Sequence, residues 1–467
     1  MRLSGLASGL DVDAMVKELM KAKRSSYDTM VKKRTQIEWK REDYRTISSK
    51  IVDFRNNKLS SFNLSNTIAA KTTEVSGDTN ALKVNSTTSS ASGTLSVNVT
   101  DVATNARTIY QVGNGNLGAV SFTINGEQIT LDAAASKGSD LAAAINANSK
   151  TKATAVFNEQ TGQISISATE TGGGAVTAPT SKLIITNTAG LTATSSVPGK
   201  QASITINGMT YTQDSNRFLV NGIDFTVKAQ SASDTTIAVV QDTSKIIDTI
   251  KSFVKEYNDL IGLINGELSE DKNRKFLPLT SDERAALSDK EAEQWEDKAR
   301  SGTLRNDSTL SKYVSDLRTI ATTLINGIST GGTDRLQIGI TTGSYGEKGK
   351  LVLDEDKLRK ALESKPQEVT NLFADGSNGV FKNMMDASLT ALTSLSKIAG
   401  TSLTSSDSKS FLESSILGDQ LRGMRDKEFN VLARLNKLET QYYKQFSAME
   451  KAINKFNSQS SSLNGLL

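Results

Sequence analysis

"YYKQFSAMEKAINKFNSQSSSLNGLL", residues 442–467, ends the sequence and carries one apolar stripe. Tyr442, Phe446, Met449, Ile453 and Phe456 follow one another at alternating steps of four and three. This spacing holds one face of a helix against a partner through a continuous seam. Traced backwards, the seam takes in Leu432 and Leu435; it is interrupted at Glu439 and Ser460 and reaches Leu463. The pattern predicts one long helix from about Asp419 onward. It leaves open what covers the stripe, because no later segment of the sequence folds back on it.

A second long helix is predicted at the other end, from about Asp11 to Leu59. Met30, Ile37, Tyr44 and Ile51 stand seven apart on one face, with Arg34 and Arg41 at the alternate seam positions. There the aliphatic stems are expected to pack while the charges reach water. The basic run "KAKRSS…KKRTQ" within this helix reads as a solvated face. The two ends of the chain are therefore predicted to pair, with the residues between them looped out.

Those residues change character at about Ala70, where Ser, Thr, Val, Gly and Asn take over. "GTLSVNVTDV" (93–102) alternates as a strand does. "FTINGEQIT" (122–130), "ITINGMTYT" (204–212) and "FLVNGIDFTV" (218–227) each place Asn-Gly between β-type runs. That dipeptide favours the type I′ hairpin, whose two turn residues both need positive φ. "SDLAAAINANS" (139–149) predicts a short helix, and "TATSSVPGK" (192–200) a boundary between β-rich domains. Helical periodicity resumes at Ser244, through Ile246, Ile250, Phe253, Tyr257, Leu260 and Ile264, then through Leu310, Tyr313, Leu317, Ile320 and Leu324. "RLQIGITT…GKLVLD" adds a small β element, and all four prolines avoid the helix interiors.

The predicted fold class is multidomain α + β. Terminal helices pair as a coiled-coil or helical-bundle rod, with β-rich domains inserted between the N- and C-terminal helical parts. The expected division is 1–45 with 440–467 as terminal helices forming an assembly region, and 46–70 with 244–439 as a helical rod domain carrying the small β element. Residues 71–112 with 199–243 form a β-rich domain, and 113–198 an outer β-rich domain with a short helix.

Composition narrows the chemistry. The 467 residues are too many for one core, and aromatics make up only 5%, lean for a compact enzyme. The absence of His removes the commonest general base and zinc ligand. The absence of Cys removes disulfides and thiolate chemistry. A net charge of +4 is small for this length and argues against nucleic-acid binding. No run approaches the roughly 18 apolar residues of a spanning helix, and the first residues lack the apolar core of a cleaved signal peptide. No catalytic, cofactor-binding or metal site, no cofactor and no membrane insertion are expected.

Two motifs tempt and fail. "GNGNLG" (113–118) matches G-x-G-x-x-G, but "AVSFTI" follows it as a strand, where a dinucleotide fingerprint must open a helix. The acidic "TSDERAALSDKEAEQWEDKAR" (280–300) suggests paired catalytic carboxylates, yet Thr280-x-x-Glu283 and Ser288-x-x-Glu291 each fit a capping box. Ala292 and Trp295 would give the second helix its buried face.

"KFLPLTSDERAALSDKEAEQWEDKARSGTLRND" (275–307) closely resembles a signature of the bacterial flagellar filament cap family, also called flagellar hook-associated protein 2. "GLASGLDVDAMVKELM" (5–20), "LVLDEDKLRKALESKPQEVTNLF" (351–373) and "LETQYYKQFSAMEKAINKFNSQSSSL" (438–463) resemble its N-terminus, later helical region and C-terminal helix. Residues 120–166 resemble an insertion motif of flagellins and hook proteins, whereas 168–200 carry no such likeness.

The resemblance implies a homo-oligomeric ring, a pentamer by analogy, at the extracellular tip of the flagellum. Its implied partners are flagellin, the hook–filament junction proteins, the flagellar type III export apparatus and an export chaperone. A host surface ligand on the outermost domains would suit an adhesion role, and nucleic acid is not among the partners. Leu6, Leu10, Met15 and Leu19, with Tyr442, Phe446, Met449, Ile453, Phe456 and Leu463, are then expected to carry terminal-helix packing and self-assembly. The alternatives are a flagellin or hook–filament junction protein, which shares helical ends and a β insertion, and a tip adhesin.

Overall fold

The computed structural model describes residues 11–86, 90–131, 137–174, 180–188, 191–329, 335–407 and 409–464. The chain forms two compact units, one of residues 1–64 with 247–467 and one of residues 65–246.

The first unit is helical. Its N-terminal helix, Val12–Asp53, begins where the Asp11 carboxylate accepts from the Ala14 N–H at 2.9 Å, satisfying a donor the helix leaves free. Tyr44, Ile47 and Ile51 recur at helical spacing and are buried. The helix then widens into a π turn over Phe54–Leu59. On an α-helix these two residues would stand about 140° apart, five steps of about 100°. The wider turn brings both onto the core face, and both are buried.

Helix Thr243–Ser269 contributes Phe253, Tyr257, Leu260 and Ile264 to the core, as its stepping predicts. Phe62, Phe253, Phe373 and Phe381 form an aromatic knot with centroids 5.1–6.5 Å apart. Edge-on pairs of this kind add to the plain burial of area. Helices Ser308–Asn326 and Val380–Ala399 pack together, and between them the buried Tyr313 and Ser388 hydroxyls meet at 2.8 Å. Burial drives the Tyr313 phenol far above its ordinary pKa, so it stays a neutral hydrogen-bonding group. The small β element is two short ladders, Ile328–Ser329 with Arg335–Leu336 and Ile340–Thr342 with Leu351–Leu353.

The second unit is β-rich and holds two hydrophobic cores. In the first lobe a five-stranded antiparallel sheet runs in the order Lys71–Ser76, Thr235–Gln241, Gly93–Asp101, Ala202–Ile206, Met209–Gln213. A three-stranded sheet, Arg217–Val220, Ile223–Val227, Leu82–Ser86, shares its core. Val97 and Val99 on one sheet and Phe218 and Phe225 on the other are the inward positions of alternating strands.

The inserted lobe has a four-stranded sheet, Thr192–Val197, Asn105–Gln111, Gln163–Thr171, Ala153–Asn158, and a three-stranded one, Glu127–Leu131, Val120–Ile124, Ile185–Thr186. Helix Gly138–Ala147 adds Leu141 and Ile145 to Phe122, Ile124, Ile164 and Ile166. The Asn125-Gly126, Asn207-Gly208 and Asn221-Gly222 pairs all have positive φ at both residues, and each closes a two-residue hairpin. The "GNGNLG" glycines lie between the strands Asn105–Gln111 and Val120–Ile124, so no helix opens there.

Candidate functional site

The C-terminal helix, Ile416–Asn464, packs antiparallel on the N-terminal helix. The order of contacts fixes the direction. The first turns of one, Val12, Val16 and Met20, share a core with Leu435 near the middle of the other, and Met15, Tyr27, Val431, Leu438, Tyr442, Tyr443 and Phe446 close in around them. Further along, Arg34 reaches Glu428 at 3.0 Å and Glu38 lies 3.4 Å from Arg425. Arg41 donates to the Leu412 carbonyl at 2.8 Å.

The apolar line packed on the N-terminal helix runs Val431, Leu435, Leu438, Tyr442, Phe446, so Val431 and Leu438 stand where Leu432 and Glu439 were expected, and the interruption disappears. On the N-terminal helix the buried line is Val12, Val16, Met20, at steps of four. Met15 lies at its margin, half-buried, and Leu19 is 43% exposed on the open side. The steps of four from Val12 to Val16 to Met20 are visible in the sequence, but Leu6, Leu10, Met15 and Leu19 compete with them as apolar positions.

Past Phe446 the stripe loses its cover among the described residues. Met449 is 38% exposed, Ile453 half-buried and Phe456 70% exposed, on a helix that continues to Asn464. The eighteen residues 447–464 make about 27 Å of helix. Leu6, Leu10 and the side chain of Leu463 lie outside the described residues.

The two seam arginines do not simply reach water. Arg34 forks onto Glu38 and Glu428. Burial works against its charge, but the hydrogen bonds and charges of these two carboxylates outweigh that and raise its pKa. Arg41 donates to the Ala399 carbonyl at 2.7 Å, at the end of helix Val380–Ala399, and lies 4.2 Å over the Phe411 ring. A cation on orphan helix-end carbonyls is favourable twice, through hydrogen bonding and through the helix dipole.

The signature segment 275–307 is fastened to the same N-terminal helix. Lys32 pairs with Glu283 at 2.6 Å, Arg300 and Thr303 both donate to Asp43, and the buried Tyr44 hydroxyl donates to Asp307. Asp307 also caps helix Ser308–Asn326 by accepting from Thr309 and Leu310 N–H at 3.1 Å. Both predicted capping boxes form, Thr280 with Glu283 and Ser288 with Glu291. Ala292 is buried, whereas Trp295 is 37% exposed and uses its indole N–H on the Leu277 carbonyl at 2.8 Å. The acidic residues of this segment thus cap helices and bind cations. Among the described residues no helix is long and apolar enough to cross a membrane.

Two family models match the chain: "Flagellar hook-associated protein 2 N-terminus" over residues 8–106 and "Flagellar hook-associated protein 2 C-terminus" over residues 199–458. The inserted lobe lies almost wholly between them. The chain is 27% identical to Flagellar hook-associated protein 2 of Halalkalibacterium halodurans, with 99% of each chain covered. It is 25% identical to the Escherichia coli K12 protein of the same name, with 83% of each covered. In fold it resembles the D1-D2-D3 domains of the flagellar cap protein FliD from Escherichia coli, with a TM-score of 0.51 at 21% identity over 82% of this chain and 99% of that one. The C-terminal family model alone spans more than half of the sequence, including the signature segment and the stretch of the C-terminal helix paired with the N-terminal one. The chain belongs to the flagellar hook-associated protein 2 family.

Proposed function

We propose that this protein caps the distal end of a bacterial flagellar filament. It acts as a homo-oligomeric ring beneath which exported flagellin folds and inserts, and which prevents flagellin from escaping. Membership of the family supports a structural role in flagellum assembly. The observation that carries the oligomeric part is the apolar stripe that, among the described residues, emerges from its cover after Phe446. A helix with Phe456 70% exposed gains most by burying that side chain against another chain. In this reading the covered stretch is a coiled-coil seam, and the open stretch, with Leu6, Leu10, Met15 and Leu19, packs on neighbouring subunits or on flagellin. Ring assembly takes place outside the cell, after export by the flagellar type III route with its chaperone.

The two cores of the β-rich unit support reading 71–112 with 199–243 and 113–198 as separate domains. The helical ends then serve assembly and the β domains are carried by them.

The test is Ile453→Asp combined with Phe456→Asp. The isolated monomer should keep its melting temperature, while cells lose filament caps and release unpolymerised flagellin into the medium. A mutant that caps its filaments and retains its flagellin would sink the role given to this stripe. Electron microscopy of the purified protein separates the alternatives, because a flagellin or junction protein gives filaments or no closed ring.

A further inference from the structure

The two lobes of the β-rich unit are joined by a pair of strands. The chain leaves the first lobe after Ala103 and returns to it before Ala202, and the two crossings are pinned where Thr104 and Lys200 exchange backbone hydrogen bonds at 3.0 and 3.2 Å. A two-strand crossing fixes an axis and leaves rotation about it free.

One residue bridges the two lobes beside that crossing. Asp214 stands in the turn after strand Met209–Gln213 of the first lobe and reaches into the inserted lobe. Its carboxylate takes Lys182 Nζ at 2.9 Å and the Gly173 N–H at 3.3 Å, both from the inserted lobe, and Gln201 Nε2 at 2.9 Å from the returning strand. Its carbonyl accepts from the Thr171 hydroxyl. The approach is close enough to require glycine: a Cβ on Gly172, at φ +85°, would lie 2.4 Å from the Asp214 carboxylate. A Cβ on Gly199 would lie 2.0 Å from the Gly172 carbonyl. Two residues on, Asn216 holds the departing strand by accepting from the Ala103 N–H at 2.7 Å and donating to its carbonyl at 2.9 Å. A cleft of about 630 Å³, lined by Asp101, Thr180, Lys200, Gln201 and Asp214 among others, runs beside these contacts and leaves room for movement. The hydrogen bonds from Gln201 and Lys182 hold the Asp214 carboxyl below its ordinary pKa, so it is charged when it makes them.

We propose that Asp214 is a latch that sets one angle between the two lobes, and that releasing it turns the Thr104–Lys200 crossing into a hinge. This does not depend on what the protein caps. Lys182 supplies the inserted lobe's charge and Gly172 the room for contact, and Glu170, held by Lys152 at 3.0 Å, lies near enough to Lys182 to favour its charge.

The chain has no cysteine, so labels can be placed at will. In the full chain, Val156→Cys and Leu219→Cys put spin labels on two strongly exposed strand positions, one in each lobe. The intact latch should give a narrow inter-label distance distribution. Asp214→Ala should at least double its width, Lys182→Met should widen it, and Lys182→Arg should restore it. Lys182→Met carries the test if circular dichroism shows Asp214→Ala to be misfolded. A distribution that stays narrow in a folded Lys182→Met protein, or one that is already broad with the latch intact, overturns the proposal.

Discussion

The C-terminal helix contains two stretches that read alike and behave differently. Val431 to Phe446 and Met449 to Phe456 continue one stripe at steps of three and four. In the first, Leu435 is 5% exposed and is flanked by Leu438, Tyr442 and Phe446 against the N-terminal helix. In the second, Phe456 is 70% exposed. Periodicity states that a helix has an apolar face. It does not state whether that face is covered by the same chain, because cover depends on where a distant partner begins and how it is aligned. Here the alignment is fixed from one side by Arg34 on Glu428 and by Arg41 on the Ala399 and Leu412 carbonyls. With those contacts in place, Val12 comes level with about residue 450 of the antiparallel C-terminal helix, and the turns beyond run on past the described residues of the N-terminal one.

The contrast can be broken most directly at Leu435. Leu435→Asp should cost about 3 kcal/mol, since it removes a buried side chain and leaves a carboxylate without a partner. For a unit of this size that is a fall in melting temperature of about 6–12 °C. If the melting temperature holds, the helix pair frays separately from the rest of its unit and the covered stretch is no more secure than the open one.

Arg34→Met tests what aligns the pair. It strips the guanidinium from Glu38 and Glu428, the latter with only 12% of its side chain exposed. The group is partly exposed, so about 1 kcal/mol and about 2–4 °C are expected. Arg34→Lys should recover only part of this, because an ammonium cannot fork onto two carboxylates as a guanidinium does. Full recovery would mean that charge alone sets the alignment.

Glu267 provides a control away from the seam. Burial, with Asp43 and Glu270 beside it, raises its pKa, and Arg300 only partly offsets this. A raised carboxyl pKa means the folded protein prefers the protonated form, so the penalty is present at neutral pH, fades as pH falls through the raised pKa, and is gone below about 4. Glu267→Gln should therefore raise the melting temperature by about 1–2 °C at pH 7 and leave it unchanged in acid, after discounting for solvent screening. The same gain at both pH values would mean that packing, and not charge, is responsible. The variant should leave exchange along the C-terminal helix as it was.

The smallest effect is expected from Phe456→Asp alone. The melting temperature of the monomer should move by less than about 0.5 kcal/mol equivalent. Amide hydrogen exchange sharpens the point: residues 431–446 should be protected and 449–464 should exchange quickly in the monomer. Equal protection in both stretches would show that the open stripe is covered within the chain after all.

Much of this protein is local and so was legible in the sequence. The Asn-Gly hairpins, the two capping boxes, the alternation of Gly93–Asp101 and the stepping of Phe253, Tyr257, Leu260 and Ile264 each depend on residues a few positions apart. So did the likeness to the family, carried by the signature at 275–307. The tertiary structure decided what depends on contacts between distant segments. It put Leu438 in the seam in place of Glu439, left Leu19 outside it, and turned Arg34 and Arg41 from solvated charges into an ion-pair fork and a helix cap. It joined Asp214 to Lys182 and Asp43 to Arg300. A periodic pattern fixes the face of a helix to within about one residue, and only the partner's side chains choose among neighbouring positions. The sequence by itself thus determined which elements form and which faces are apolar. Which faces are covered, and by what, was settled only when the two ends of the chain met.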